Sequence, residues 1–125
     1  MPFSLVCLLG TVTTVPFGLA FLLAPEATGA LYGVSGWTAG TALIARLFGV
    51  ALVHSAGAFV AARHTTDARL QRSMSTFFAL AAAIAVIVSL QAVLASAVNA
   101  LGYSTVGIYA FFTVAWASIA LRKAA

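Results

Sequence analysis

Apolar side chains fill this chain in long blocks, and the polar ones gather between the blocks. Residues 1–25 carry no charged side chain, and neither do residues 73–121. The blocks are long and rich in Ala, Leu and Val, without the alternating polarity of a membrane-barrel strand, which runs about 10 residues. They therefore predict helices. A bilayer core of about 30 Å takes about 20 helical residues to cross. The block at 73–121 accommodates two crossings, broken at 99–104, where Asn99 and Gly102 punctuate as a turn. The pattern predicts membrane spans at 3–23, 38–62, 74–98 and 105–121. Between the first two, residues 25–32 read as a short interfacial helix, with Pro25 at a first helical position and Gly33 as its stop.

Composition narrows the class. The 125 residues are 63% hydrophobic and 6% charged, with a mean hydropathy of +1.12. Soluble domains hold about 45–50% apolar and about 25% charged residues. A soluble chain this short could not hide so much apolar surface. The expectation is an all-α polytopic membrane protein: one domain over residues 1–125, four helices in an up-down bundle. The net charge of +4 reflects a shortage of acids, two against six Lys+Arg, so no nucleic-acid partner is expected. Cys7 is the single cysteine, and neither a disulfide nor a metal site can be read from it. No Lys or Arg precedes Arg46, so the first span lacks the basic start of a cleaved leader and is expected to be retained.

Charge placement sets an expected orientation. Arg63, Arg69 and Arg72 lie between the second and third spans, and Arg122 and Lys123 follow the fourth. The other two connections hold no cation. The positive-inside rule then places both termini and the middle connection in the cytoplasm.

Helices in lipid associate through close packing and polar contacts. Small residues at four-residue spacing mark candidate packing faces: Gly10, Thr14 and Gly18; Ala45 and Gly49; Gly57 and Ala61; Ala81, Ala85 and Ser89. Pro16 is expected to bend the first span and free a carbonyl. Arg46 lies inside the second span, where a charge costs about 2.5–3.5 kcal/mol on insertion scales. Gln91, Thr13 and Thr14 lie at similar depth, with Tyr109 and Thr113 as further candidates, and Glu26 is within reach of a snorkelling arginine. Arg46 has two readings. It pairs with Glu26, Gln91 and freed carbonyls to fix the bundle, or it holds an anionic or carbonyl-bearing head group, which a planar guanidinium suits. Arg46, Gln91, Thr13, Thr14 and Glu26 form the candidate ligand-binding set. His54 is a candidate hydrogen-bonding position, or an axial ligand to haem or another pigment. No second intramembrane histidine faces it.

Nothing in the pattern marks an enzyme. Asp67 and Glu26 are expected on opposite sides of the membrane, so no carboxylate pair is available for acid–base work, and no phosphate loop or zinc spacing occurs. No metal and no resident cofactor are expected, although a quinone or lipid is admissible. Small proton-coupled exporters of similar size carry a glutamate in the first helix, and none stands here. The run from Pro25-Glu26 to Leu31-Tyr32-Gly33, followed by Ala45-Arg46-Leu47-Phe48-Gly49, resembles the DoxX-like group of small four-helix bacterial membrane proteins. That resemblance implies a bacterial inner-membrane protein in which Arg46 and Gly49 matter to the corner between the first two spans. Some members are associated with quinone-linked oxidation or thiol-stress complexes, but no activity transfers. The leading functional expectation is a non-catalytic accessory or assembly subunit, partnered by membrane lipids and by other membrane subunits or copies of itself. The alternative is a binder or carrier of a quinone-like or lipid molecule through a polar layer around Arg46. A small homo-oligomeric transporter is the minor third.

Overall fold

The computed structural model describes residues 1–122, so Lys123 of the cationic set lies outside the described residues. Five helices follow in order: α1 (Phe3–Leu23), α2 (Pro25–Leu31), α3 (Ala39–Ala62), α4 (Ala68–Leu94) and α5 (Gly102–Ala120). All but α2 are long and apolar enough to cross a membrane. Their starts and stops have local causes. Thr38 and Thr41 form a reciprocal capping box at the head of α3. Asp67 accepts from the backbone N–H groups of Arg69 and Leu70, satisfying two donors that a helix start would otherwise leave orphaned.

That cap explains the largest departure from the expected spans. Hydropathy starts the third span at residue 74, whereas α4 starts at Ala68, because Arg69 and Arg72 ride on its first turns. The helix ends at Leu94, four residues before the expected 98, where Ser96 adopts a positive φ of 56° and the Ala97 N–H folds back to the Ala92 carbonyl. The next helix starts at Gly102, three residues before the expected 105. Asn99 prepares that start, its side-chain oxygen accepting from Leu101 N–H at 3.0 Å.

The helices pack as two pairs, α1 with α3 and α4 with α5, and the pairs meet through a lighter α1–α5 contact. In α3 the buried and half-buried positions include 42, 45, 49, 52, 56 and 59, the alternating three- and four-residue spacing of a packing seam. Backbones come closest where Gly49 faces Gly18. A Cβ on Gly49 would stand 2.6 Å from both the Gly18 carbonyl oxygen and the Leu22 nitrogen. Gly10 likewise lies under the Phe59 ring. The other expected small-residue faces hold only in part. A Cβ on Gly57 would meet nothing within 4 Å and Ala61 is exposed, whereas on α4 Ala85 and Ser89 are half-buried, Ala81 is exposed and Ala82 is the buried alanine. Four-residue spacing alone does not say which side of a helix is turned inward.

At the end of the bundle that carries the termini, one core joins the pairs. It gathers Phe3, Val6, Cys7, Phe59, Ala115, Trp116 and Ile119. The Trp116 ring lies 5.9 Å from Phe3, 5.6 Å from Phe59 and 5.4 Å from Phe78, and Phe59 and Phe78 meet at 4.8 Å. One ring system thus touches α1, α3, α4 and α5. Aromatic pairs of this kind contribute about 0.5–1.5 kcal/mol each beyond area burial. Arg72 donates to the Arg122 carbonyl, and Arg122 donates to the Met1 carbonyl, so two of the cations also tie Met1, the first turns of α4 and the residues just after α5 together.

Gly49→Val is expected to destabilise the bundle by about 1–3 kcal/mol, the usual cost of overpacking, because its Cβ would collide with backbone that cannot rotate away. Gly57→Val, in open space, is expected to leave the thermal midpoint in detergent unchanged. Equal midpoints for the two variants would show that the α1–α3 approach is not a tight constraint.

Candidate functional site

Above the aromatic core the two helix pairs separate, and a cavity of about 280 Å³ opens between them in the half of the bundle that carries α2. Every long helix contributes to its wall: Thr13, Thr14, Phe17 and Phe21 from α1, Phe48 and Leu52 from α3, Ser89 and Ala92 from α4, and Thr105, Ile108, Tyr109 and Phe112 from α5. No lining side chain is charged. The volume lies just below the range of about 300–1,000 Å³ typical of small-molecule pockets.

The roof is built by α2 and the strap that follows it. The Thr28 hydroxyl donates to the carbonyls of Ala20 and Ala24, turning the chain sharply after α1. Gly33, at φ +78°, terminates α2 in the left-handed conformation that glycine adopts without strain. Val34 N–H then returns to the Gly29 carbonyl. This folds Trp37 back under α2, its ring so close to Gly29 that a Cβ there would lie 2.1 Å from it. Glycine at position 29 is what admits the indole. Asn99 fastens the roof to the opposite pair. Its backbone N–H donates to the Tyr32 carbonyl at 2.8 Å, and its side-chain amide donates to the Leu31 carbonyl at 2.9 Å.

Most hydroxyls in the wall are already committed as donors. Thr13 donates to Leu9, Thr14 to Gly10 and Ser89 to Ala85, each to the carbonyl one turn back. They present only lone pairs to the cavity. Thr105 donates to the Tyr32 hydroxyl at 3.2 Å, which leaves the Tyr32 proton uncommitted. The Tyr109 phenol has no hydrogen-bond partner among the described residues, and Tyr109 is one of the residues that line the cavity. The cavity thus offers two free O–H donors in an otherwise apolar, ring-rich space.

The residues singled out from the sequence divide. Thr13 and Thr14 line the cavity. Arg46, Gln91 and Glu26 are exposed and outside its lining, with no hydrogen bond among them within the described residues. Helical phase accounts for this: Arg46 lies two positions from Phe48, hence about 160° around α3 from a ring that lines the cavity. His54 is exposed on the same helix. The described residues hold no cluster of three or more potential metal ligands. Sequence reasoning placed Tyr32 only within the short interfacial helix and Tyr109 only as a further candidate near Arg46, and passed over Ser89 and Thr105 as site residues. The signal for them was weak, since phenols and hydroxyls in apolar helices become distinctive only when several helices bring them to one space. No family model, curated protein or solved structure matches this chain.

Proposed function

We propose that this protein binds a neutral lipophilic molecule within the membrane, in the cavity between its two helix pairs. The observation that carries the reading is the cavity's lining: rings and aliphatic groups, a few hydroxyls and no charge. A head group bearing a full charge would find no counter-ion there, and desolvating it would cost too much. A neutral molecule meets apolar walls and a small number of orienting polar groups, the usual make-up of a ligand pocket. Access fits a ligand dissolved in the bilayer. α3 and α4 are not packed along their length, and Leu52 and Ser89 line the cavity from either side of the gap between them.

Filling the space tests the reading. Ala92→Trp is expected to lower the affinity for a fluorescent neutral lipophile by about tenfold or more, while retaining the helical content and monomer size of the parent. Unchanged affinity in a folded Ala92→Trp protein would remove the cavity as the site.

The sequence-based orientation belongs to the same proposal. Both termini and the α3–α4 connection, with Arg63, Arg69 and Arg72 nearby, face the cytoplasm of a bacterial inner membrane, and the cavity roof faces the other side. Single cysteines introduced at Thr66 and at Ser35 in a Cys7→Ala background give the check. The Ser35 site is expected to react with an impermeant maleimide in intact cells and the Thr66 site only after lysis; the reverse pattern would invert the topology.

A role as an accessory subunit is supported by a separate observation. Gly57 and Gly107 stand on the outer surface, where a Cβ added to either would meet nothing within 4 Å. They are shallow spots at which another helix could approach closely. Blue-native electrophoresis of untreated membranes is expected to show a species larger than the monomer, and migration as a monomer alone would end this role.

A further inference from the structure

Resting on the cavity reading, we propose that the bound molecule carries a neutral carbonyl oxygen attached to a planar ring, as in an aryl ketone, and that the phenols of Tyr109 and Tyr32 donate hydrogen bonds to it. Three features converge on this chemistry. The first is donor accounting. Thr13, Thr14 and Ser89 spend their protons on backbone carbonyls, and Thr105 spends its proton on Tyr32. Only the two phenols keep a proton for a guest, so the guest supplies acceptors.

The second is the absence of charge. Without a cation or an acid in the lining, the acceptor is a neutral oxygen, not a carboxylate or phosphate. Thr105 sharpens the geometry: by donating to the Tyr32 hydroxyl it polarises that O–H and directs the remaining proton away from itself. The third is shape. Phe17, Phe21, Tyr32, Trp37, Phe48 and Phe112 surround the space, and Phe21 and Phe48 already meet edge-to-face at 5.3 Å. Aromatic walls of this kind receive a planar ring in stacked or edge-to-face contact. Two donors close to a ring-lined slot fix both the identity and the orientation of a guest that apolar walls alone would hold in any pose.

A matched probe pair tests this on the full-length protein in nanodiscs. Benzophenone and diphenylmethane share their two rings and differ in the carbonyl oxygen. Benzophenone is expected to bind about tenfold more tightly, and irradiation is expected to crosslink it to cavity residues of α1 and α5. Tyr109→Phe removes a hydroxyl that has no partner within the described residues, so the fold and melting temperature are expected to persist. In that variant benzophenone affinity should fall by about fivefold, with diphenylmethane unaffected, and Tyr32→Phe should act in the same direction. Equal binding of the two probes by the parent protein would overturn the acceptor assignment and leave the cavity reading standing. Failure of both probes to bind would overturn both. A Tyr109→Phe protein that keeps the full preference for benzophenone, alone and combined with Tyr32→Phe, would also overturn the assignment.

Discussion

Trp116 is the side chain on which the arrangement of the helices depends. The helices pack mainly within two pairs, α1 against α3 and α4 against α5, and lipid offers the pairs no solvophobic reason to join. What joins them at the terminal end is one ring cluster in which Trp116 reaches Phe3, Phe59 and Phe78 together. The indole is almost wholly buried, at 2% exposure. Its bulk fills the space between the pairs at that level.

The opposite end is joined by different chemistry. Backbone and amide hydrogen bonds from Asn99 hold the end of α2 to the α4–α5 turn, and Thr28 holds α2 to α1. An aromatic floor and a hydrogen-bonded roof leave the middle unconstrained by direct helix-to-helix packing. A void persists there because both ends are fixed, and the donors inside it have been left without partners because the walls do not meet.

Much of this architecture is legible in the sequence, and the limits have physical causes. Long apolar blocks announce four membrane-length helices because a bilayer demands them. Pro25 and Gly33 mark α2 to within a residue, since proline and glycine act locally. The start of α4 is not legible from hydropathy: its first turns are basic, and the cap at Asp67 sets the boundary. Site residues are harder still. Thr13 and Thr14 stand out because hydroxyls cluster in α1, whereas Tyr109 and Thr105 gain meaning only beside Tyr32, more than 70 positions away in the chain. Arg46 draws the eye as the costliest residue in the span, but cost does not give direction, and the helical phase turns it away from the cavity.

That outward arginine has a consequence for the membrane itself. About seven residues into α3, Arg46 stands roughly 10 Å from the helix start, on a surface where its neighbours Leu43, Leu47 and Val50 are also exposed. A guanidinium among such neighbours draws water and head groups toward it and thins the bilayer locally. On α4, the exposed Phe77, Leu80, Ile84, Ile87 and Val88 ask for full hydrocarbon thickness. The expected consequence is an uneven sheet of lipid, shallower beside Arg46 and of full thickness beside the apolar face of α4, so that hydrophobic mismatch becomes a property of one flank of the protein.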